Sequence, residues 1–496
     1  MSSVTELLCI FILIFLLTWY LYYLYCFNYW KRKKVPSATP LFPTGHILKP
    51  ILGKENIFVT TANHYKEFKS KGYKHAGLYF FNGPVYLPID PAIVKSILTT
   101  DFEHFVDRGT FVDEINSPLT GNLFSLKGLK WKSLRSKLSP TFSSGKLKTM
   151  YEIFMKMTQN FVSTVEQTAR KDGEVNIKYI SSNFTVDLIF STAFGLEGDT
   201  LQKPDGKLSQ TTKTFFTVST WEFFKNVVLD GFQNPGNIVR GVYGKKSLES
   251  FFMELVTNTI KHRSEQKIIR RDFMALLLEV RDKEGLSFNE ILAQCFLFFL
   301  AGFETSSQTI SYCIHELAHN QDIQNKLREE IFNNLGKDFT KYSYEDIFKL
   351  PYLDQVFNET LRLYPVLGFF NRMCVKPYKV PSTDVVIEKG TPVLIPVLGL
   401  QRDPEYFPDP MRFDPERFRE GQLHVPCTFL PFGEGPRFCI GMRYGKLQTK
   451  LGIAALVSRF RFSPSSTTAR HVEFDKFCKA LVMVPKEGIN VKVEEL

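Results

Sequence analysis

The sequence has no Cys-x-x-Cys pair, although it contains eight cysteines. They stand at positions 9, 26, 295, 313, 374, 427, 439 and 478. Without paired spacing, a structural zinc site is not expected. Sparse and unpaired cysteines favour a reducing compartment over the environment of a disulfide-bonded secreted protein.

Nucleotide-binding motifs are also missing, since there is neither a Gly-x-Gly-x-x-Gly turn nor a P-loop. The net charge is +11, from 62 basic and 51 acidic residues, but no basic stripe interleaved with aromatics indicates nucleic-acid binding. No Gly/Ser tract, repeat or charge block divides residues 50–496. With 44% hydrophobic residues, this stretch predicts one large folded domain.

Residues 7–30 carry no charge at all. As a helix these 24 residues extend about 36 Å, enough to cross a bilayer core. A cleaved signal peptide is the alternative, but residues 1–6 have neither positive charge nor a small-residue cleavage site. Four basic residues follow at 31–34, which by the positive-inside rule place the remainder in the cytosol. We predict a membrane anchor over 1–30, a basic, proline-containing connector over 31–46 and the main domain over 47–496.

Two stretches predict β-hairpins. Residues 79–87 place Asn-Gly between two apolar runs, which is a strong hairpin signal. Residues 385–387 and 393–395, joined through Lys389 and Gly390, indicate a second hairpin.

Most of the remaining sequence has helical patterning. The clearest helix begins at Ser287, whose Ser-x-x-Glu spacing to Glu290 is a capping box. Nothing interrupts the pattern from Phe288 to about His319, which implies an apolar helix about 48 Å long. The predicted fold class is mainly α with a smaller β-rich subdomain.

The segment 432–441 reads Phe-Gly-Glu-Gly-Pro-Arg-Phe-Cys-Ile-Gly. A haem iron needs one strong protein donor, and a cysteine thiolate is such a donor. Glycines on both sides of Cys439 let the backbone approach its sulfur, while Phe432 covers it and Arg437 is placed to pair with a haem propionate. The alternative is an ordinary glycine-rich turn around a buried thiol.

This segment resembles the haem-binding signature of cytochrome P-450, Phe-x-x-Gly-x-Arg-x-Cys-x-Gly. Every fixed position matches, namely Phe432, Gly435, Arg437, Cys439 and Gly441. Two segments resemble the insect microsomal branch related to the vertebrate drug-metabolising group. They are this segment together with the Met-Arg that follows it, and Ala-Gly-Phe-Glu-Thr at 301–305.

The resemblance runs from the N-terminal helix to the C-terminus, and it implies the cytochrome P-450 fold with a long central helix over haem b. It implies a haem-thiolate monooxygenase that inserts one atom of O2 into lipophilic small molecules. Xenobiotics, plant toxins, insecticides and endogenous hormones or lipids are the candidate substrates. The implied location is the endoplasmic reticulum membrane, with the catalytic domain on the cytosolic face. Cys439 is then the axial ligand of the haem iron.

Glu359 and Arg362 lie three residues apart on a predicted helix and so share one face. A solvated surface pair is the alternative, but apolar neighbours and the following Pro365 oppose it. The resemblance implies a buried structural network of Glu359, Arg362 and Arg417. This network fixes the fold around the segment 432–441, which we call the cysteine loop.

The segment 301–305 lies inside the long predicted helix. Its small residues allow close approach of a ligand, and a threonine can bond the carbonyl one turn back. By resemblance, Ala301 and Gly302 face the oxygen site, while Thr305 and Glu304 deliver protons.

Trp131 and Arg135 are one turn apart on one helical face. The resemblance assigns both to a haem propionate, together with Arg372 and Arg108. Taken alone, Arg108 is better explained as an ordinary surface arginine.

Because the chain has no recognisable flavin or nicotinamide site, its electrons must come from a partner. The resemblance implies NADPH–cytochrome reductase, with cytochrome b5 as a second donor. Basic residues beside the haem segments form a candidate docking face, namely Lys132, Lys137, Arg443, Lys446 and Lys450.

Several clusters among the 47 phenylalanines fall where the resemblance places substrate loops. Most of these side chains belong to the core, and several are expected to line an apolar pocket with few polar anchors. The resemblance assigns six residues to the substrate pocket: Phe111, Phe124, Leu300, Val366, Leu367 and Leu481.

Residues 315–319 form His-Glu-x-x-His, which in zinc peptidases supplies two metal ligands and a general base. This alternative predicts a zinc metallopeptidase that uses His315, Glu316 and His319. It also requires a third ligand, and Asp322 occupies the position where a longer zinc motif has glycine.

Overall fold

The computed structural model describes residues 2–206, 208–210, 212, 246–266, 270, 272–422, 424–477 and 482–496. Helices dominate this part of the chain, as the sequence predicted. The α-helices are α1 (Ser2–Phe27), α2 (Tyr29–Arg32), α3 (Leu48–Ile51), α4 (Ile57–Ser70), α5 (Pro91–Lys95), α6 (Gly128–Leu138), α7 (Ser144–Lys148), α8 (Tyr151–Asp172), α9 (Ile177–Ile189), α10 (Lys246–Gln266), α11 (Phe273–Glu284), α12 (Phe288–His319), α13 (Gln321–Leu335), α14 (Tyr344–Phe348), α15 (Pro351–Leu363), α16 (Val397–Gln401) and α17 (Met442–Arg459).

The long helix α12 runs through the centre of the main core, and its predicted bounds are confirmed. The Ser287 hydroxyl accepts a hydrogen bond from the Glu290 N–H, and the Glu290 carboxylate accepts one from the Ser287 N–H. Both ends of the predicted capping box are therefore present. Apolar faces of α9 and α17 pack against α12, so these three helices form the frame on which the site is built.

The strands form three small sheets. They are β1 (His75–Phe80), β2 (Gly83–Pro88), β3 (Glu174–Asn176), β4 (Phe370–Met373), β5 (Tyr378–Lys379), β6 (Val386–Ile387), β7 (Pro392–Ile395), β8 (Phe460–Pro464) and β9 (Asn490–Glu495). The sheet orders are β1-β2-β7-β4, β3-β9-β8 and β5-β6.

The first predicted hairpin is confirmed, but the second is wrong. Strands β1 and β2 pair in antiparallel fashion, with Phe80 opposite Gly83. Strands β6 and β7 both exist, yet they belong to different sheets, β6 beside β5 and β7 between β2 and β4. The turn at Gly390 directs β7 away, because the N–H of Gly390 donates to the Cys374 carbonyl (2.7 Å) at the end of β4.

The N-terminal helix α1 leaves most of its apolar side chains exposed, for example Leu7 (66%), Phe11 (69%) and Phe15 (61%). In the described chain, Val4–Arg32 is the one helical stretch long and apolar enough to cross a membrane. Its C-terminal end is packed on the domain. Trp30 is buried and donates from its indole N–H to the Leu78 carbonyl (2.8 Å).

A buried ion-pair network ties α15 to the chain that precedes the cysteine loop. Arg362 contacts both carboxylate oxygens of Glu359 at 2.7 and 2.8 Å, and both side chains are fully buried. The Arg417 Nε lies 3.5 Å from Glu359, and Asp414 donates its N–H to the same carboxylate (2.9 Å). Arg362 also donates to the Gln401 carbonyl (2.9 Å). The structure thus brings together the three residues predicted for this network.

Replacing Arg362 with alanine should destabilise the protein by roughly 3–5 kcal/mol, because the Glu359 carboxylate would remain buried without its partner. We expect a lower unfolding midpoint and loss of bound haem, measured by denaturation and absorbance. Arg170→Ala is the control, because Arg170 pairs with Glu166 and Glu495 on the surface and should leave both quantities nearly unchanged. Normal haem content and stability in Arg362→Ala would contradict this account.

Candidate active site

The cysteine loop (residues 432–441) folds back on itself just before α17. The N–H of Cys439 donates to the Phe432 carbonyl at 2.8 Å, which closes the loop. Gly435 has a φ of +69°, and a side chain there would collide with the carbonyl oxygen of Leu98. The signature glycine at 435 is therefore required both by its left-handed backbone and by this close approach.

The Cys439 side chain is accessible in the structure and is surrounded by protein. The surrounding protein desolvates the sulfur and raises the pKa of the thiol. The backbone N–H of Gly441 and the positive charges of Arg135 and Arg108 act in the opposite direction. These three groups would stabilise a thiolate here, as a metal ligand requires.

Four arginines converge on one side of this loop: Arg108, Arg135, Arg372 and Arg437. Desolvation, reinforced by repulsion from Arg108 and Arg372, lowers the Arg437 pKa to about 8. Desolvation and Arg108 lower the Arg372 pKa to about 9. The buried Nε of Arg372 has no hydrogen-bond partner among the described residues. The Asp107 carboxylate lies 3.8 Å from Arg437, but one carboxylate does not balance four guanidinium groups. Such a concentration of positive charge is costly unless further anions share the site.

The cluster is held in place by aromatic rings and carbonyl groups. Arg437 lies 3.9 Å from the Trp131 ring centroid and donates to the Leu126 carbonyl (2.7 Å). Arg135 lies over the Phe438 ring at 4.8 Å. Arg108 donates to the Arg437 carbonyl (3.1 Å), so it belongs to the cluster rather than to the open surface. The donors suit the carboxylates of a haem, and the residues therefore fit that cofactor.

On α12, Ala301 and Thr305 lie on one face, one turn apart. Ala301 is exposed, although most of α12 is buried. The Thr305 hydroxyl donates to the Ala301 carbonyl at 2.7 Å. Gly445 of α17 approaches Ser306, so the helix that follows the cysteine loop contacts α12 directly beside Thr305.

Gly302 lies against α9, and Glu304 belongs to a polar network. A Cβ on Gly302 would lie 2.7 Å from the Ile189 side chain, so this glycine permits close packing of α9. The Glu304 carboxylate accepts hydrogen bonds from Lys178 Nζ (3.1 Å) and Gln308 Nε2 (2.8 Å). Sequence reasoning missed Lys178, because nothing local links it to a partner 126 positions away.

The pocket residues predicted from the resemblance share one property. The five that are described are neither fully buried nor fully exposed, as expected for side chains that line a cavity: Phe111, Phe124, Leu300, Val366 and Leu367. The loop that carries Phe124 is fixed to α12, since Leu123 donates its N–H to the Gln294 side chain (2.9 Å). Leu481 lies outside the described residues.

The His-Glu-x-x-His motif is not arranged as a metal site. The ring nitrogens of His315 and His319 bond the backbone carbonyls of Arg470 (3.1 Å) and His315 (2.9 Å). The Glu316 carboxylate accepts hydrogen bonds from the Tyr364 hydroxyl and from Arg470. No cluster of three metal-ligating side chains occurs among the described residues. The metallopeptidase alternative therefore has no support.

Comparison with known proteins agrees with this geometry. The cytochrome P450 family matches residues 37–493. The chain is 39% identical to "Probable cytochrome P450 6a23" of Drosophila melanogaster, over 95% of each chain. It is 36% identical to "Cytochrome P450 6A1" of Musca domestica, over 95% of this chain and 94% of that relative. The chain therefore belongs to the cytochrome P450 family, and it is a haem-thiolate monooxygenase that binds haem b.

Proposed function

We propose that this chain oxidises lipophilic small molecules at a haem held by Cys439. The observation that carries the proposal is the accessible Cys439 side chain, which lies close enough to Arg135 and Arg108 to feel their charge, in a cluster of four arginines that Asp107 balances only in part. When bound, the haem supplies the iron chemistry that activates dioxygen. Xenobiotics, plant toxins, insecticides and endogenous hormones or lipids are the candidate substrate classes.

The cysteine loop and the arginine cluster hold the cofactor in this proposal. Cys439 would hold the haem through its sulfur, Phe432 would cover that sulfur, and the Gly441 N–H would offset its negative charge. The propionates would be held by the cationic or N–H donors of five residues: Trp131, Arg135, Arg372, Arg437 and Arg108. These carboxylates would offset the desolvation and the mutual repulsion that together lower the pKa of Arg372 and Arg437.

Thr305 and Glu304 handle protons, and Ala301 leaves room for the ligand. The Thr305 hydroxyl donates to the Ala301 carbonyl, and this hydrogen bond fixes the orientation of the hydroxyl group. Gly302 contributes by letting α9 approach, which brings Lys178 to Glu304. The substrate lies against five apolar residues, Phe111, Phe124, Leu300, Val366 and Leu367, with Leu481 as a sixth candidate.

The chain divides, in this proposal, into an anchor (1–30), a connector (31–46) and a monooxygenase domain (47–496). The exposed apolar surface of α1 suits a lipid environment, and the basic residues after it favour a cytosolic domain. We place the protein in the endoplasmic reticulum membrane. The connector is fixed to β1, because Gly77 donates its N–H to the Pro36 carbonyl (2.8 Å).

Membership of the family implies a reductase as redox partner and lipophilic substrates. We propose NADPH–cytochrome reductase as the donor, with cytochrome b5 as a second one, docking on a basic face of Lys132, Lys137 and Arg443. Lys132 and Arg443 are exposed. Two lysines predicted for this face fit it poorly: Lys450 is buried in an ion pair with Asp354 (2.6 Å), and Lys446 lies 4.0 Å from the same carboxylate.

Reconstitution in a membrane with reductase and NADPH tests this function. We expect the purified protein to bind haem and to oxidise members of a panel of apolar compounds, with one oxygen atom added to each product. Haem-free protein, or haem protein that oxidises none of the panel, would contradict the proposal.

Thr305→Val should lower the amount of product formed per NADPH by roughly ten-fold, because it keeps the side-chain volume and removes the hydroxyl. Product and hydrogen peroxide are measured together. Dioxygen that is reduced without correct proton delivery is released as hydrogen peroxide and forms no product. Thr309→Val is the matched control, because its hydroxyl makes the same bond one turn later, to the Thr305 carbonyl (2.9 Å). Equal product yields in both variants would remove Thr305 from the proton path.

Arg443→Glu should slow reductase-supported turnover roughly ten-fold at low salt and leave the haem spectrum intact. The reversed charge opposes electrostatic steering of an acidic partner, and the difference from the wild type should shrink as salt rises. Lys171→Glu, an exposed lysine at the end of α8, is the control with the same charge change. Turnover that falls equally in both variants would show that Arg443 is no docking residue.

A further inference from the structure

The residues around the His-Glu-x-x-His motif connect α12 to two distant segments of the chain. One segment follows α15 and contains the pocket candidates Val366 and Leu367, and the other comprises residues 470–477 and 482–483. We call the connecting residues the Tyr312 clasp, defined as Tyr312, Glu316, Tyr364, Arg470 and Met483. All five lie outside the haem site described above.

The first half of the clasp is a relay of hydrogen bonds from α12 to Val366. The Tyr312 hydroxyl, which is buried, donates to the Met483 carbonyl at 2.9 Å. The N–H of Met483 donates in turn to the Val366 carbonyl at 2.9 Å. The Met483 side chain packs in one apolar cluster with Leu367 and Phe58. The position of Met483 therefore controls both a backbone contact to Val366 and a packing contact to Leu367.

The second half fixes the ring of Tyr312 and the start of the same segment. The Tyr364 ring stacks on Tyr312 with centroids 4.4 Å apart and planes inclined by 10°. The Tyr364 hydroxyl donates to the Glu316 carboxylate (2.6 Å). Both oxygens of that carboxylate also accept from Arg470 Nη1, at 3.0 and 3.1 Å. Since Pro365 and Val366 follow Tyr364 directly, this stack fixes where the pocket segment leaves α15.

The clasp lies on the same side of α12 as the haem-facing residues. Thr305 and Tyr312 are seven residues apart, which is two helical turns and so one face. A side chain two turns beyond the oxygen site thus holds the segment that we assign to the pocket wall. Among the described residues, Tyr312 is the α12 residue whose hydrogen bond reaches this segment through Met483.

We propose that Tyr312 is a positioning residue for substrate selection, which sets the location of Val366 and Leu367 relative to the haem. The inference rests on the proposed function, because the pocket role of these two residues belongs to that proposal. Tyr312 does not touch substrate. It acts through Met483, and loss of its hydroxyl lets the wall shift while the haem, the cysteine loop and the proton path stay as they are.

Tyr312→Phe tests this, because it keeps the stacked ring and removes only the hydroxyl. Tyr342→Phe is the matched control: Tyr342 is equally buried, and its hydroxyl donates to a backbone carbonyl, that of Gly336, at the same 2.9 Å. Both variants are prepared as full-length holoprotein. Imidazole and the bulky azole clotrimazole are titrated spectroscopically, since both bind haem iron but only the larger one reaches the pocket wall.

For Tyr312→Phe we expect the clotrimazole dissociation constant to change roughly three-fold or more, as loss of one buried hydrogen bond allows, with imidazole binding unchanged. The ratio of products from a substrate oxidised at two carbons should change as well, with KM altered more than kcat. Arg470→Gln, on the half-exposed end of the clasp, should shift both readouts in the same direction.

Clotrimazole binding and product ratios equal to wild type in Tyr312→Phe would overturn the inference, as would an equal change in Tyr342→Phe. A parallel loss of imidazole and clotrimazole affinity would also overturn it, since that pattern means general damage to the haem site. Failure of the proposed function looks different, because the wild-type protein itself would then bind neither azole nor oxidise the panel.

Discussion

The proposed site depends on keeping a negatively charged sulfur inside the protein. Removing a thiolate from water is costly, and desolvation at Cys439 raises the pKa of its thiol. The chain opposes this cost with one backbone N–H, from Gly441, and with the positive charges of Arg135 and Arg108. In the proposed function, an iron bound to the sulfur would supply the rest.

The surrounding fold supports this site through residues that lie progressively farther from Cys439. Gly435 lets the loop pass against Leu98, and the Glu359–Arg362 pair holds the chain that leads into the loop. Helix α12 then carries Ala301 and Thr305 on one face and Tyr312 two turns beyond Thr305. A single rigid helix thus connects the oxygen side of the site with the segment we assign to substrate selection.

Features that depend on local sequence were predictable, and features that depend on distant partners were not. The capping box at Ser287 and the β1–β2 hairpin follow from residues a few positions apart, and both are confirmed. The hairpin predicted over 385–395 is wrong, because β7 finds better partners in β2 and β4 than in its neighbour β6. Lys178 beside Glu304, Ile189 against Gly302 and Asp354 beside Lys450 are contacts that only the folded chain creates.

The most direct test is the carbon monoxide difference spectrum of reduced, purified protein, compared between wild type, Cys439→Ser and Cys374→Ser. Cys374 is buried and lies outside the cysteine loop, so it controls for replacing a buried sulfur. The account predicts the band typical of haem-thiolate coordination in wild type and Cys374→Ser, and its loss together with turnover in Cys439→Ser. A Cys439→Ser protein that keeps both the band and its turnover would contradict the central claim.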